Sequence, residues 1–490
     1  MVEVSRRRLL RGAAAVGAGL AAGPFTGFLA RASADPVEQR RELKAVQDLR
    51  DGKVRLHLPE GFSYRSFHDT EFTVTLDDGT VLPGRHDGMG AFARPGGRSL
   101  LVRNHEINGP GPAFGPAATV YDPAARGGTT TTEVTADGQV LNSYTSISGT
   151  QNNCSGGIMP WGSWVTCEET VNGPDVGPDF TGVSNAPLTK PHGFIFEVPA
   201  GGIAEPVPIR SAGRFAHEAV AYDPREGTLY LTEDDFGFAS GFYRYRPPHH
   251  PEHGPGQGGP RHQRIADGGR LQMLKVKGMP NANLAAAQPP EAVYEVEWVD
   301  IDDPAPTFSG PATTSNNDAL KYVASQGWVQ GAAYFSRLEG AVYDRGVVYF
   351  TATQGGGPAE TSTGPIADGF GNGSGQIWAY HTKEQVLRLA FESPGPQTLD
   401  FPDNVTVSPR GTLVVCEDNV DNNYLRGLTR GGELFDIALN RLFSKDDVKR
   451  WDDEFAGSTF SHDGRTLFVN IQASRGMTFA IWGPWGRIGV

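Results

Sequence analysis

Apolar and polar positions along this chain fall into short runs rather than long helical periods. Runs rich in β-branched and aromatic residues alternate with clusters of Gly, Pro and Asp, which predicts strands joined by tight turns. Several segments share one shape: an apolar strand, a Gly-containing turn, a second apolar strand, then a polar or acidic residue. They read SGGIMPWGSWVTCEE, HEAVAYDPREGTLYLTED, LEGAVYDRGVVYFTATQ, PDNVTVSPRGTLVVCED and GSTFSHDGRTLFVNIQ, with GMGAFARPGGRSLLVRNHE as a looser copy. Their last polar residues are Glu106, Glu169, Glu233, Gln354, Asp418 and Gln472, mostly 54 to 65 residues apart with one step about twice as long. Hairpin repeats of this length predict an all-β fold, a β-propeller of six blades. The long step is expected to hold an insertion around 240–330 or a degenerate extra blade. Otherwise residues 35–490 are expected to form one domain.

Spacing within the hairpins adds chemistry. Cys154 and Glu169 lie fifteen residues apart, as do Glu218 and Glu233, Glu339 and Gln354, and Asp403 and Asp418. Residues equidistant from a hairpin turn face each other across the strands. The midpoints fall in the turns, at Trp161-Gly162, Arg225-Glu226, Gly346 and Arg410-Gly411. Each pair is therefore expected at the open end of its hairpin. In a propeller those ends converge on one mouth of the central channel. That predicts a ring of Cys154, Glu169, Glu218, Glu233, Glu339 and Asp418. Single pairs could be solvated strand ends neutralised by a local Lys or Arg. Four pairs in register favour bound cations, because a desolvated ring of carboxylates repels itself. Calcium takes six to eight oxygens, which Asn104, Asn404 and backbone carbonyls could complete. The Cys154 thiolate is softer and points to a transition metal beside the hard cations.

Charge and composition narrow the classes. The chain has 490 residues and a net charge of -13, which excludes a nucleic-acid binder and suits a protein that gathers carboxylates around cations. Ser5-Arg6-Arg7-Arg8-Leu9-Leu10 is a twin-arginine pattern; an apolar stretch from Gly12 to Ala30 and Ala32-Ser33-Ala34 before Asp35 follow. Residues 1–34 are thus expected to be a signal read by the twin-arginine export machinery, placing the mature protein in the periplasm or outside the cell. The stretch is Gly/Ala-rich, so no stable membrane span is expected. Export in the folded state raises the expectation of a tightly held metal. Three cysteines are too few for a disulfide framework.

The ordered set NCSGG from Asn153, PWGSWVTCEE from Pro160, His217-Glu218, RLEG from Arg337 and CEDN from Cys416 resembles the PhoX-type alkaline phosphatases. The resemblance runs from about Asn104 to Asp418. It implies a secreted β-propeller phosphatase with two irons (Fe3+) and three calciums (Ca2+). Carried onto this chain, it makes Cys154 the iron-bridging thiolate and Glu169 and Glu218 ligands beside it. Glu339 and Asp418 become calcium ligands, and Arg337 the residue that holds the substrate phosphate. Glu168, Glu106 and Glu233 are further metal candidates. The expected reaction is metal-assisted hydrolysis of phosphate monoesters by a monomer, without a covalent protein nucleophile, with Arg337 clasping two phosphate oxygens.

Other features read more simply. CSGG is not a G-x-S-x-G elbow, so Ser or Cys nucleophilic catalysis is disfavoured. Disulfides from Cys167 to Cys154 or Cys416 are conceivable after export, but Cys167 and Cys416 suit buried strand positions. His249, His250, His253 and His262 sit among Pro and Gly and suggest a loop. His105 is read equally as ligand or structural histidine. Two rivals remain: a calcium-only propeller lactonase or esterase, and a non-catalytic propeller that calcium rigidifies.

Overall fold

The structure is a computed structural model that describes residues 40–248, 265–308, 314–362 and 364–490. The twin-arginine segment and the histidines of 249–262 lie outside the described residues. No helix among the described residues is long and apolar enough to cross a membrane.

Each repeat segment folds as an antiparallel hairpin. In chain order the hairpin strands are β1 (His86–Arg94) and β2 (Arg98–His105), β3 (Asn153–Met159) and β4 (Ser163–Glu168), and β5 (His217–Asp223) and β6 (Thr228–Glu233). Then come β7 (Leu338–Asp344) and β8 (Val347–Ala352), β9 (Pro402–Val407) and β10 (Leu413–Glu417), and β11 (Glu454–Phe460) and β12 (Thr466–Gln472). The turns need left-handed backbone, which is why Gly162 and Gly411, both at φ 88°, sit where they do.

The first strand of each hairpin packs beside the first strand of the next, and β11 packs back against β1. The second strands continue outward into sheets. Gly127–Val134 and Val140–Thr150 follow β2, and Ile195–Pro199 follows β4. Met477–Trp482 follows β12, and Ser63–Phe67 from near the N-terminus pairs with it, so two distant parts of the chain close the ring. The result is an all-β, propeller-like arrangement.

The described residues of 240–330 are woven through this frame. Phe242–Arg246, Arg270–Val276 and Val293–Asp300 extend the β5–β6 sheet, and Val293–Asp300 also pairs with Val386–Glu392 of the β7–β8 sheet. A helix, α1 (Asn316–Trp328), is capped by Ser315, whose hydroxyl accepts from the Asp318 amide at 3.1 Å. The space between sheets is filled with aromatics; Phe242 stacks on Phe350 at 4.2 Å. Cys167 and Cys416 lie in such cores, and all three cysteines are free thiols.

The hairpins share a defect at their open ends. His86 pairs with His105 and then Met89 with Arg103; Asn153 pairs with Glu168 and then Gly156 with Thr166. The same slip follows His217–Glu233, Leu338–Ala352, Pro402–Glu417 and Ala456–Asn470. Two residues of the inner strand thus oppose one, which is a β-bulge, and a bulge re-aims a side chain. The bulged pairs are Asp87-Gly88, Cys154-Ser155, Glu218-Ala219, Glu339-Gly340, Asp403-Asn404 and Gly457-Ser458. The first member is an acid or a thiol in every pair but the last.

Candidate metal centre

The bulges and the strand ends together assemble a cluster of acids. Three groups bring their ligand atoms within 4.8 Å of one another: Glu106 with Cys154 and Glu169, Glu218 with Glu339 and Asp403, and Asp403 with Asp418 and Glu454. Asp403 belongs to two of them, so those two adjoin. The Cys154 thiol donates to Glu169 Oε2 at 2.8 Å, and Asn152 Nδ2 donates to the same oxygen at 2.6 Å. Glu106 accepts from Arg85 Nη1 at 3.3 Å and from Gln472 Nε2.

Electrostatics shows what such a cluster asks for. Burial pushes Glu218 well above the usual carboxylate range, and Glu339, Glu169, Asp403 and Asp87 push it further. Asp87 and Glu339 are raised in the same way, first by burial and then by neighbouring acids. Burial also raises the Cys154 thiol, reinforced by Glu169 and Glu218. Protein cations offset this weakly. Groups that hold protons so tightly for want of counter-charge become strong ligands once a cation supplies it. Oxygen-rich groups suit hard cations, and the group containing Cys154 adds a soft donor. The residues present therefore fit metal ions.

Arg337 stands at the edge of the cluster with φ 37°, a left-handed conformation rare for arginine. Its Nε and Nη2 donate to the two Asp234 oxygens at 3.1 and 2.6 Å, and Nη2 also reaches Glu339 Oε1 at 3.0 Å. Nη1 makes a 3.4 Å bond to Gln354 Oε1. Burial opposes its charge, but the Asp234 and Glu339 carboxylates outweigh that and hold the guanidinium above its ordinary pKa. The Nε–Nη2 edge of the fork, one of the two edges that could clasp a phosphate, is engaged by Asp234.

Some expected ligands lie elsewhere. Glu168 points away from Glu169 and accepts from the Gln151, Gly193 and Phe194 amides and from His192 Nδ1, at 2.6 to 3.1 Å. Glu233 turns to the Gly241 amide and the Tyr243 hydroxyl, both at 2.8 Å. Asn104 spends its amide on the Cys154 and Ser155 carbonyls and its oxygen on Trp164 and Thr166. Asn404 binds Asp403 Oδ1 at 2.5 Å through Nδ2 and accepts from the Gly457 amide at 2.9 Å, so it braces the cluster. His105 is structural: its nitrogens meet the Gly84 carbonyl and the Thr130 hydroxyl, and burial lowers its pKa to about 3.

Sequence reasoning missed Asp87, Asp234 and Glu454, and named Asp403 only as a hairpin end. Asp87 was within reach. It precedes the looser copy, and with Glu106 it is symmetric about the turn at Pro95–Gly97. Asp234 was missed because the turn after β5 is one residue longer than that after β3, so sixteen residues, not fifteen, separate the mouth pair. Glu454 was also within reach: it is symmetric with Gln472 about the turn at Asp463-Gly464, and the two pair across the strands.

The family model for alkaline phosphatase PhoX matches residues 42–143 and 135–474. Among solved structures, PhoX from Pseudomonas fluorescens in complex with vanadate, a transition state analogue, superposes with TM-score 0.63. It is 18% identical, over 91% of this chain and 97% of that one. Virginiamycin B lyase from Staphylococcus aureus gives TM-score 0.36 at 12% identity, covering 86% and 99%. A gluconolactonase from Xanthomonas campestris gives 0.29 at 13% identity, covering 85% and 99%. A comparison with curated proteins gave no match. With the family model spanning nearly all the described chain, this protein belongs to the PhoX family of alkaline phosphatases and is a phosphoric monoester hydrolase.

Proposed function

We propose that this chain is an exported, calcium- and iron-dependent alkaline phosphatase whose active site lies at the mouth of a six-bladed propeller. The observation that carries the reading is the set of three ligand groups, two of them joined through Asp403 and the third, with Cys154, close enough for Glu169 and Glu218 to act on each other's sites. The closed ring of inner strands supports the blade count. Residues 1–34 would direct the folded, metal-loaded protein through the twin-arginine pathway.

Glu218, Glu339, Asp403, Asp418 and Glu454 offer oxygens that suit calcium. Glu106 and Glu169 with Cys154 suit iron. Bound there, such cations would neutralise the phosphoryl charge and hold the ester in line. The chain's own groups do the rest. Arg337 keeps its proton at every working pH and offers Nη1 to a phosphoryl oxygen. Phe236 lies 4.9 Å from the guanidinium and shields it from water, which strengthens its charge. No step needs a covalent protein nucleophile. The structure of the Pseudomonas fluorescens protein holds vanadate as a transition state analogue, and a cation-lined pocket beside an arginine suits an anion of that kind.

Turnover of p-nitrophenyl phosphate at alkaline pH, lost on calcium chelation and restored by calcium, together with iron in the purified protein, is the expected result. Calcium without iron would instead indicate the lactonase type of site. C154A should lose iron and activity together; a C154A protein with full iron and activity would sink the assignment.

A further inference from the structure

Asp234 occupies the same register position as three residues of the ligand groups. Glu106 follows the His86–His105 pairing, Glu169 the Asn153–Glu168 pairing and Asp418 the Pro402–Glu417 pairing. Asp234 follows His217–Glu233 in the same way. Yet Asp234 joins none of the three groups. Its two oxygens instead take Arg337 Nε at 3.1 Å and Nη2 at 2.6 Å. Both residues are almost fully enclosed, at 3% and 6% exposure, so the ion pair is poorly screened.

The surroundings fix the pair from several sides. The Asp234 amide donates to the Ala216 carbonyl at 3.1 Å, and the Thr353 amide donates to the Arg337 carbonyl at 3.0 Å. Nη2 also holds Glu339, a member of the Glu218/Glu339/Asp403 group. Arg337 is thereby tied at once to Asp234 and to a candidate metal ligand. Nη1 carries two N–H groups and makes one long bond, to Gln354.

We propose that Asp234 is a positioning residue for phosphate recognition, locking the Arg337 guanidinium by a two-point ion pair so that Nη1 alone meets the phosphoryl group beside Glu339. This rests on the phosphatase reading above. A planar fork held at two points loses little freedom when its remaining N–H engages an anion. Without Asp234 the guanidinium would swing toward Glu339, and phosphate would have to draw it back.

The test uses the full exported protein with its metals loaded. D234N, D234E, R337Q and the D234N/R337Q double variant are assayed for iron and calcium content, for KM and kcat with p-nitrophenyl phosphate, and for competitive inhibition by inorganic phosphate. D234N should keep its metals, raise KM and the phosphate inhibition constant about tenfold, and leave kcat within about threefold. D234E should recover part of the binding, and the double variant should bind no worse than R337Q, because both changes remove one device. Loss of metal in D234N, unchanged KM and inhibition constant in both Asp234 variants, or additive losses in the double variant would overturn the proposal. If D234N does not fold, D234E and the double variant decide. A wild type without turnover would fail the phosphatase reading and this proposal together; an active wild type with an indifferent Asp234 would fail the proposal alone.

Discussion

Glu168 and Glu169 are neighbours in the chain with opposite duties. Strand alternation sends one into the body of the sheet and the other toward the acids. Glu168 satisfies three backbone amides and His192, so E168A should cost about 3 kcal/mol by leaving them unpaired. Glu169 is a source of repulsion until a cation arrives. E169Q should therefore raise stability in chelator while abolishing the gain expected from added calcium and iron. Urea unfolding with and without metal separates the two; equal losses in both variants would contradict the division. Asp235 makes a third case. Burial first, then Asp234, raises its pKa to about 7. An acid whose pKa is raised by folding stabilises fully below its unfolded value, near 3.8, and that contribution is lost as pH rises through about 7. D235N should then gain on the wild type between about pH 4 and pH 8, approaching an upper limit of about 4 kcal/mol. A stability difference that stays flat across that range would show that Asp235 ionises as readily in the fold as in the unfolded chain.

At the scale of the element, the recurring unit is a hairpin with a bulge at its open end. The bulge explains how an inner strand can put an acid toward the centre and then resume its alternation. The second bulged residue must be small where strands crowd. A Cβ on Gly340 would lie 2.6 Å from the Val405 amide nitrogen and 2.8 Å from the Asn404 Cα. G340A should displace Glu339 and Asp403 together, costing about 2 kcal/mol in stability and most of the metal affinity. Calorimetric calcium titration checks it; wild-type affinity would mean that the bulge tolerates a side chain. This level also marks where sequence reading succeeds and stops. The hairpins, their turns and most of the acids were legible, because apolar alternation and Gly-marked turns fix strands and their ends. Asp234 was not, since a turn one residue longer moves the mouth position past Glu233. Glu168 and Glu233 look like ligands in sequence because a Glu at the end of a strand carries no mark of the face it takes. Arg337 was legible by resemblance, but its engagement with Asp234, 103 positions away, is visible only in three dimensions.

For the whole molecule, ring closure and metal binding pull in opposite directions. The inner strands draw Asp87, Glu218 and Glu339 together, and Ser63–Phe67 seals the ring that holds them there. In the metal-free protein these acids have pKa values well above normal, from burial and from each other. By the same sign argument, their contribution is intact below the ordinary carboxylate range and is lost as pH climbs through the raised values. Metal reverses the slope, because cations compete with those protons and bind more tightly as they leave. The thermal midpoint in chelator should fall from pH 5 to pH 9, while the gain from saturating calcium should grow over the same range. At calcium a hundredfold above its dissociation constant, one site alone gives about 2.7 kcal/mol. Scanning calorimetry at matched ionic strength measures both curves. A calcium gain that does not change with pH would mean the acids are already ionised in the metal-free fold, and that the closed ring does not store the repulsion argued here. The expected divergence would tie alkaline activity to the architecture, because the conditions that most strain the empty ring are those that fill it.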